Sequence, residues 1–175
     1  MLKKSFYILL IVTCLLAVAT LPALAMAPQT YEFEVHQAPA IIADCSEYGY
    51  DFLIDQYAEG AGFGKVFLNQ DGSLNRIQEH VSGYDVYTNT VTGKQIIGYW
   101  VVNELYPAQP GTIIRHGLPY HVTYPGMGNI VLDSGHFEFT YWFENGELHW
   151  TMERHNGHTN FFSGDFEKVC AALDE

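Results

Sequence analysis

His136, Glu138, Glu153 and His155 place two imidazoles and two carboxylates symmetrically about one turn, in the segment HFEFTYWFENGELHWTMERH that runs from residue 136 to 155. With Asn145 and Gly146 as the centre of a two-residue type I′ turn, Glu144 stands opposite Glu147 and the segment becomes a β-hairpin. One face then pairs Phe143 with Leu148, Tyr141 with Trp150, Phe139 with Met152, and Phe137 with Arg154. The other pairs Trp142 with His149, Thr140 with Thr151, Glu138 with Glu153, and His136 with His155. Apolar side chains collect on one side only in this register, because slipping one strand by one residue would send half of them to the polar face. Opposed carboxylates repel unless a cation, a proton or a basic neighbour lies between them. Histidine nitrogen and carboxylate oxygen suit a divalent metal such as zinc, making these four residues a candidate metal site. Without metal, Glu138 and Glu153 could titrate as a coupled acid and base, the pairing a hydrolase or isomerase would use. The competing expectation is a wetted face, for which Glu, Thr and His are ordinary residues.

The elements around this hairpin are strands. YEFEVH, YDFLIDQY, GKVFLN, LNRIQEHV, YDVYTNTV, QIIGYWVVNELY, LPYHVTY and NIVL are β-rich runs bounded by turn residues. Asp71-Gly72, Thr92-Gly93-Lys94 and Asn145-Gly146 mark hairpin turns, and Pro107, Pro110, Pro119 and Pro125 mark ends or edges. GAGFGK (60–65) is followed by a strand rather than by a phosphate-binding helix, so it reads as a bend between strands. No βαβ spacing and no repeat is present. The expected fold is all-β, an antiparallel barrel or alternatively a two-sheet sandwich, with one short C-terminal helix in GDFEKVCAALDE. In that helix Asp165 is positioned to cap, and Phe166, Val169, Cys170 and Leu173 share a face.

The first 25 residues have Lys3 and Lys4, an apolar run from Phe6 to Val18 and the small-residue end Ala23-Leu24-Ala25, the three regions of a secretory signal peptide. Cleavage after Ala25 leaves 26–175 as a single domain, secreted or periplasmic and without a membrane span. Removing Lys3 and Lys4 takes the net charge from −12 to −14, which disfavours nucleic acid and anionic membranes as partners. Cys14 leaves with the leader. Cys45 and Cys170 remain near opposite ends of the mature chain and are expected to form a disulfide.

Ala43-Asp44-Cys45, Thr92-Gly93-Lys94, Pro125-Gly126-Met127-Gly128, Gly164-Asp165 and Cys170-Ala171-Ala172-Leu173 together resemble a group of small secreted bacterial proteins of unknown function. That resemblance implies an exported β-rich domain with a terminal disulfide and assigns no catalytic residue.

Aromatic residues make up 15% of the chain, enough to fill a barrel or to line a cavity for one small guest. The leading functional expectation is therefore an exported protein that binds a small apolar or amphipathic molecule, with Tyr141, Trp142 and Trp150 as candidate contacts. The alternatives are the carboxylate-pair enzyme and a cell-envelope interaction module.

Overall fold

A computed structural model describes residues 27–174; the leader assigned to 1–25 and the Met26 start lie outside the described residues. Seven antiparallel strands follow one another as a meander: β1 (Gln29–Asp44), β2 (Leu53–Leu68), β3 (Leu74–Asn89), β4 (Gln95–Pro107), β5 (Thr112–Tyr124), β6 (Gly128–Glu144) and β7 (Glu147–His158). A 3₁₀ turn at Cys45–Tyr48 joins β1 to β2, and one α-helix, α1 (Glu167–Asp174), ends the chain. The all-β antiparallel class with a C-terminal helix is thus observed. The sheet does not close into a barrel: each strand pairs only with its chain neighbours, and β1 and β7 remain edges. This open arrangement is the one compatible with the sandwich alternative.

GAGFGK is not a bend. Gly60, Gly62 and Gly64 sit inside the continuous strand β2, paired to Val35, Phe33 and Tyr31 of β1. Alternate residues of a strand share a face, so the three glycines clear one track along it, and large rings occupy that track. A Cβ at Gly62 would stand 2.7 Å from Phe33 Cζ, and one at Gly60 would stand 2.6 Å from Trp100 Cη2.

The main apolar core lies at one end of the sheet, beneath α1. Ile54, Tyr87, Val122, Val131, Val169 and Leu173 are its largest fully enclosed members outside the disulfide, with Phe52 and Phe166 buried beside them. Phe166, Val169, Cys170 and Leu173 are all buried, as their shared face requires. Asp165 does not cap this helix; its carboxylate accepts from Asn160 Nδ2 at 3.3 Å, inside the preceding turn. That turn is held by Asp133 of β6, which accepts the backbone N–H groups of Asn160, Phe161 and Phe162. Asn89 ties the far end of α1 to the sheet, donating to the Leu173 carbonyl at 3.2 Å. The Cys45–Cys170 disulfide forms as expected, with Cα atoms 5.7 Å apart. The bond encloses a separation of 125 residues, for which the chain-entropy relation gives about 4–5 kcal/mol. Replacing both cysteines by serine should lower the unfolding free energy by up to that amount, and thiol titration of the oxidised parent should find neither Cys45 nor Cys170 free.

The β6–β7 hairpin has the expected turn, Asn145 and Gly146 both taking positive φ (54° and 86°). Its pairing follows the expected register from Glu144/Glu147 down to Phe139/Met152, then shifts at a bulge, so that Glu138 pairs with Arg154, Phe137 with His155 and His136 with Asn156. Only the base is buried: Phe137 and Phe139 are 0% and 5% exposed, whereas Phe143 and Trp150 at the tip are 70% and 54% exposed. Phe137→Ala should therefore cost about 3–5 kcal/mol by urea denaturation, and Trp150→Ala less than about 2 kcal/mol. The opposite order would mean that the tip, not the base, is packed.

Candidate functional site

The bulge separates the four side chains that could have shared a metal. Glu153 falls in the unpaired position and is exposed, Glu138 lies beside Arg154, and His155 is exposed opposite Phe137. His136 meets another histidine instead, its Nδ1 lying 3.2 Å from His116 Nδ1 across β5 and β6. Among the described residues, no group of three or more His, Cys, Asp or Glu side chains is gathered closely enough to hold an ion. The expected opposition of Glu138 to Glu153, and of His136 to His155, is corrected accordingly. The extra residue of a bulge has no signature here, since MERH alternates as well before the shift as after it.

Two glutamates do stand opposite one another, but in a different pair of strands. Glu79 of β3 faces Glu104 of β4 on the inner side of the sheet, in a transverse row that continues through Tyr31, Gly64, Arg115 and Phe137. The neighbours in that row show how the repulsion is relieved. Arg115 Nε donates to Glu104 Oε1 at 2.7 Å, the Tyr106 hydroxyl donates to Glu104 Oε2, and Tyr31 reaches over Gly64 to donate to Glu79 Oε1. Burial, reinforced by Glu79, pushes the Tyr31 hydroxyl up to about 12, so it remains a donor at neutral pH. Tyr106 is raised further by burial and by the charge of Glu104. A charge-assisted network of this kind fixes both carboxylates in place.

Beyond the polar row the inner face becomes apolar. Phe33, Val81 and Val102 share the next row, and Trp100 extends from β4 across Gly83 and Gly60. Side chains of β1 to β5 together line a cavity of about 300 Å³ that is open to solvent on one side, with Glu79, Glu104, Tyr106 and Arg115 at one end and Asp85, Pro119 and Tyr120 at the other. Its volume lies at the lower edge of the range for small-molecule sites, roughly 300–1,000 Å³. Asp85 lies six residue steps along β3 from Glu79, about 20 Å at the rise of a strand.

Asp85 is 2% exposed and has no cation beside it. Gln56 Nε2 donates to Oδ1 at 2.8 Å, while Oδ2 has no hydrogen-bond partner. The Tyr87 hydroxyl, also fully buried, lies beside this carboxyl on the core side and favours its ionised form. Burial raises the Asp85 carboxyl to about 7, only partly opposed by Gln56 and Tyr87.

Tyr141, Trp142 and Trp150 do not border this cavity. Trp142 stacks on His149 with ring centroids 5.7 Å apart, and Trp150 meets the edge of Phe139 at 5.6 Å. The cavity residues left unremarked in the sequence carry one faint signal. Glycines at 60, 62 and 64 have the period of a strand, which marks a close approach of other side chains rather than a bend.

Compared with protein-family models, curated proteins and solved structures, the chain matches none. No match supports the resemblance to small secreted bacterial proteins; of what it implied, the β-rich fold and the Cys45–Cys170 disulfide are observed.

The position of Asp85 makes stability depend on pH. Its proton is held more tightly in the folded chain than at the ordinary value of 3.8, so the favourable contribution is complete below that pH and is lost as pH rises through about 7. Asp85→Asn removes the charge at every pH. By urea denaturation at about pH 5 and pH 8, the variant should gain on the parent toward pH 8, by on the order of 2–4 kcal/mol. A difference that does not change with pH would mean that Asp85 is ionised throughout.

Proposed function

We propose that the protein is an exported binding protein whose inner face holds one small amphipathic molecule. The observation that carries this reading is the cavity of about 300 Å³, with an apolar middle between two polar ends of fixed geometry. Apolar walls supply affinity by removing surface from water, and a few rigid polar groups set orientation. Tyr31, Tyr106 and Arg115 are already committed to the glutamates, so an occupant at that end meets an organised rim rather than loose charges. The disulfide fits an extracytoplasmic compartment, in keeping with the leader read from residues 1–25. Hydrolysis or isomerisation by Glu138 and Glu153 finds less support, because the bulge removes their opposition and Glu138 has Arg154 for a neighbour.

A neutral environment-sensitive fluorophore, prodan, tests the site. It should bind saturably with one site per chain, and Trp100→Ala should weaken it by about tenfold or more, as removal of a central aromatic contact does. Trp150→Ala should leave the affinity unchanged. Binding that is unsaturable, or indifferent to Trp100→Ala, would remove the cavity from consideration.

A further inference from the structure

Four of the eight histidines are committed to other kinds of side chain. His36 pairs with Glu34, His80 with Asn103 and His121 with Asn129, and His149 stacks on Trp142. His116 and His136 instead meet each other, and neither has another hydrogen-bond partner among the described residues. They stand directly opposed in β5 and β6 with ring centroids 4.5 Å apart. Because side chains alternate along a strand, both lie on the face of the sheet opposite to Arg115, Phe137 and the cavity. His116 is exposed and His136 is half-buried, so the pair can be reached from solvent.

The backbone beneath the pair is closely fitted. Gly117 and Gly135, each adjacent in sequence to one of the histidines, pair with one another at φ of 130° and 124°. A Cβ at Gly117 would run into the Val101 carbonyl oxygen, and one at Gly135 into that of Asn156. The register that opposes the two imidazoles is therefore fixed from both sides, which is the preorganisation a binding site needs.

The ring geometry suits one shared ion. His136 Nδ1 lies 3.2 Å from Nδ1 and 3.3 Å from Nε2 of His116, so neither nitrogen of that ring is singled out. Two neutral imidazoles carry two lone pairs and two N–H groups, and one hydrogen bond between them leaves one of each unspent. Both separations fall within the roughly 2.9–3.4 Å expected of neighbouring nitrogen ligands on one metal, given bonds of about 2.0–2.1 Å. Calcium and magnesium demand oxygen ligands, whereas imidazole suits Zn(II), Ni(II) and above all Cu(II), the tightest-bound of the series. A net charge of −12 favours the approach of any such cation. Glu138, two residues beyond His136, has Arg154 beside it and adds no ligand.

We infer that His116 and His136 form a two-histidine chelate for Cu(II), each ring giving one nitrogen lone pair and carrying its proton on the other nitrogen, with water completing the coordination. The site lies apart from the cavity and stands or falls independently of the binding function proposed above.

Calorimetric titration of the oxidised protein with Cu(II), with glycine as competing chelator, tests the inference. One equivalent per chain should bind more tightly than the rest, and pulsed EPR of that complex should show two imidazoles on the copper. His116→Ala and His136→Ala should each weaken this equivalent by about a hundredfold, because two ligands on a rigid sheet reinforce one another through effective concentration. Each should also abolish the rise in thermal midpoint that Cu(II) gives the parent. His80→Ala and His155→Ala should change neither result. A first equivalent held by a single imidazole overturns the inference, as does an affinity indifferent to His136→Ala or lost instead in His155→Ala. The imidazole count in the parent decides the matter even if a variant fails to fold.

Discussion

Large rings lying flat across a strand need a strand with no side chains beneath them, and most of the inner face follows from meeting that requirement. Because side chains alternate along β2, glycine at 60, 62 and 64 empties one side only, and the other side still carries Ala61, Phe63 and Lys65. Tyr31, Phe33 and Trp100 fill the vacated track. Tyr31 could not reach Glu79 across any larger residue at position 64, and Trp100 could not wall the cavity if positions 60 and 83 bore side chains. Polar row, apolar wall and cavity are therefore consequences of one steric arrangement in β2 and β3.

The same face handles buried negative charge in two ways. At the Glu79 and Glu104 end every carboxylate is bound by hydroxyl or guanidinium donors, which makes the region rigid and electrostatically settled. At the Asp85 end burial opposes the charge, and only the Gln56 amide and the Tyr87 hydroxyl favour it.

The fold was legible where it depends on local pattern. Period-two runs gave the strands, Asn145-Gly146 gave its turn, and Cys45 and Cys170 gave their bond. The site was much less legible, because it depends on pairing between segments far apart in sequence. Glu79, Glu104 and Arg115 become neighbours only through the registers of β3, β4 and β5, and those registers include irregularities such as the one between Tyr99 and Val101. The 136–155 hairpin offered a short-range symmetry, and a single bulge at Glu138/Phe139 dissolved it. Opposed glutamates were the right pattern to seek; the chain realises them between strands that no adjacent pair of motifs reveals.

The bond between Cys45 and Cys170 also changes what a cut in the chain would mean. Every turn of the meander from Asp71-Gly72 to Asn145-Gly146 lies between those two residues, and these turns project glycines and polar side chains into solvent. A protease nicking one of them would leave two fragments still covalently joined, with strand pairing intact on both sides of the gap. A single scission would thus convert a one-chain protein into a two-chain protein of the same architecture.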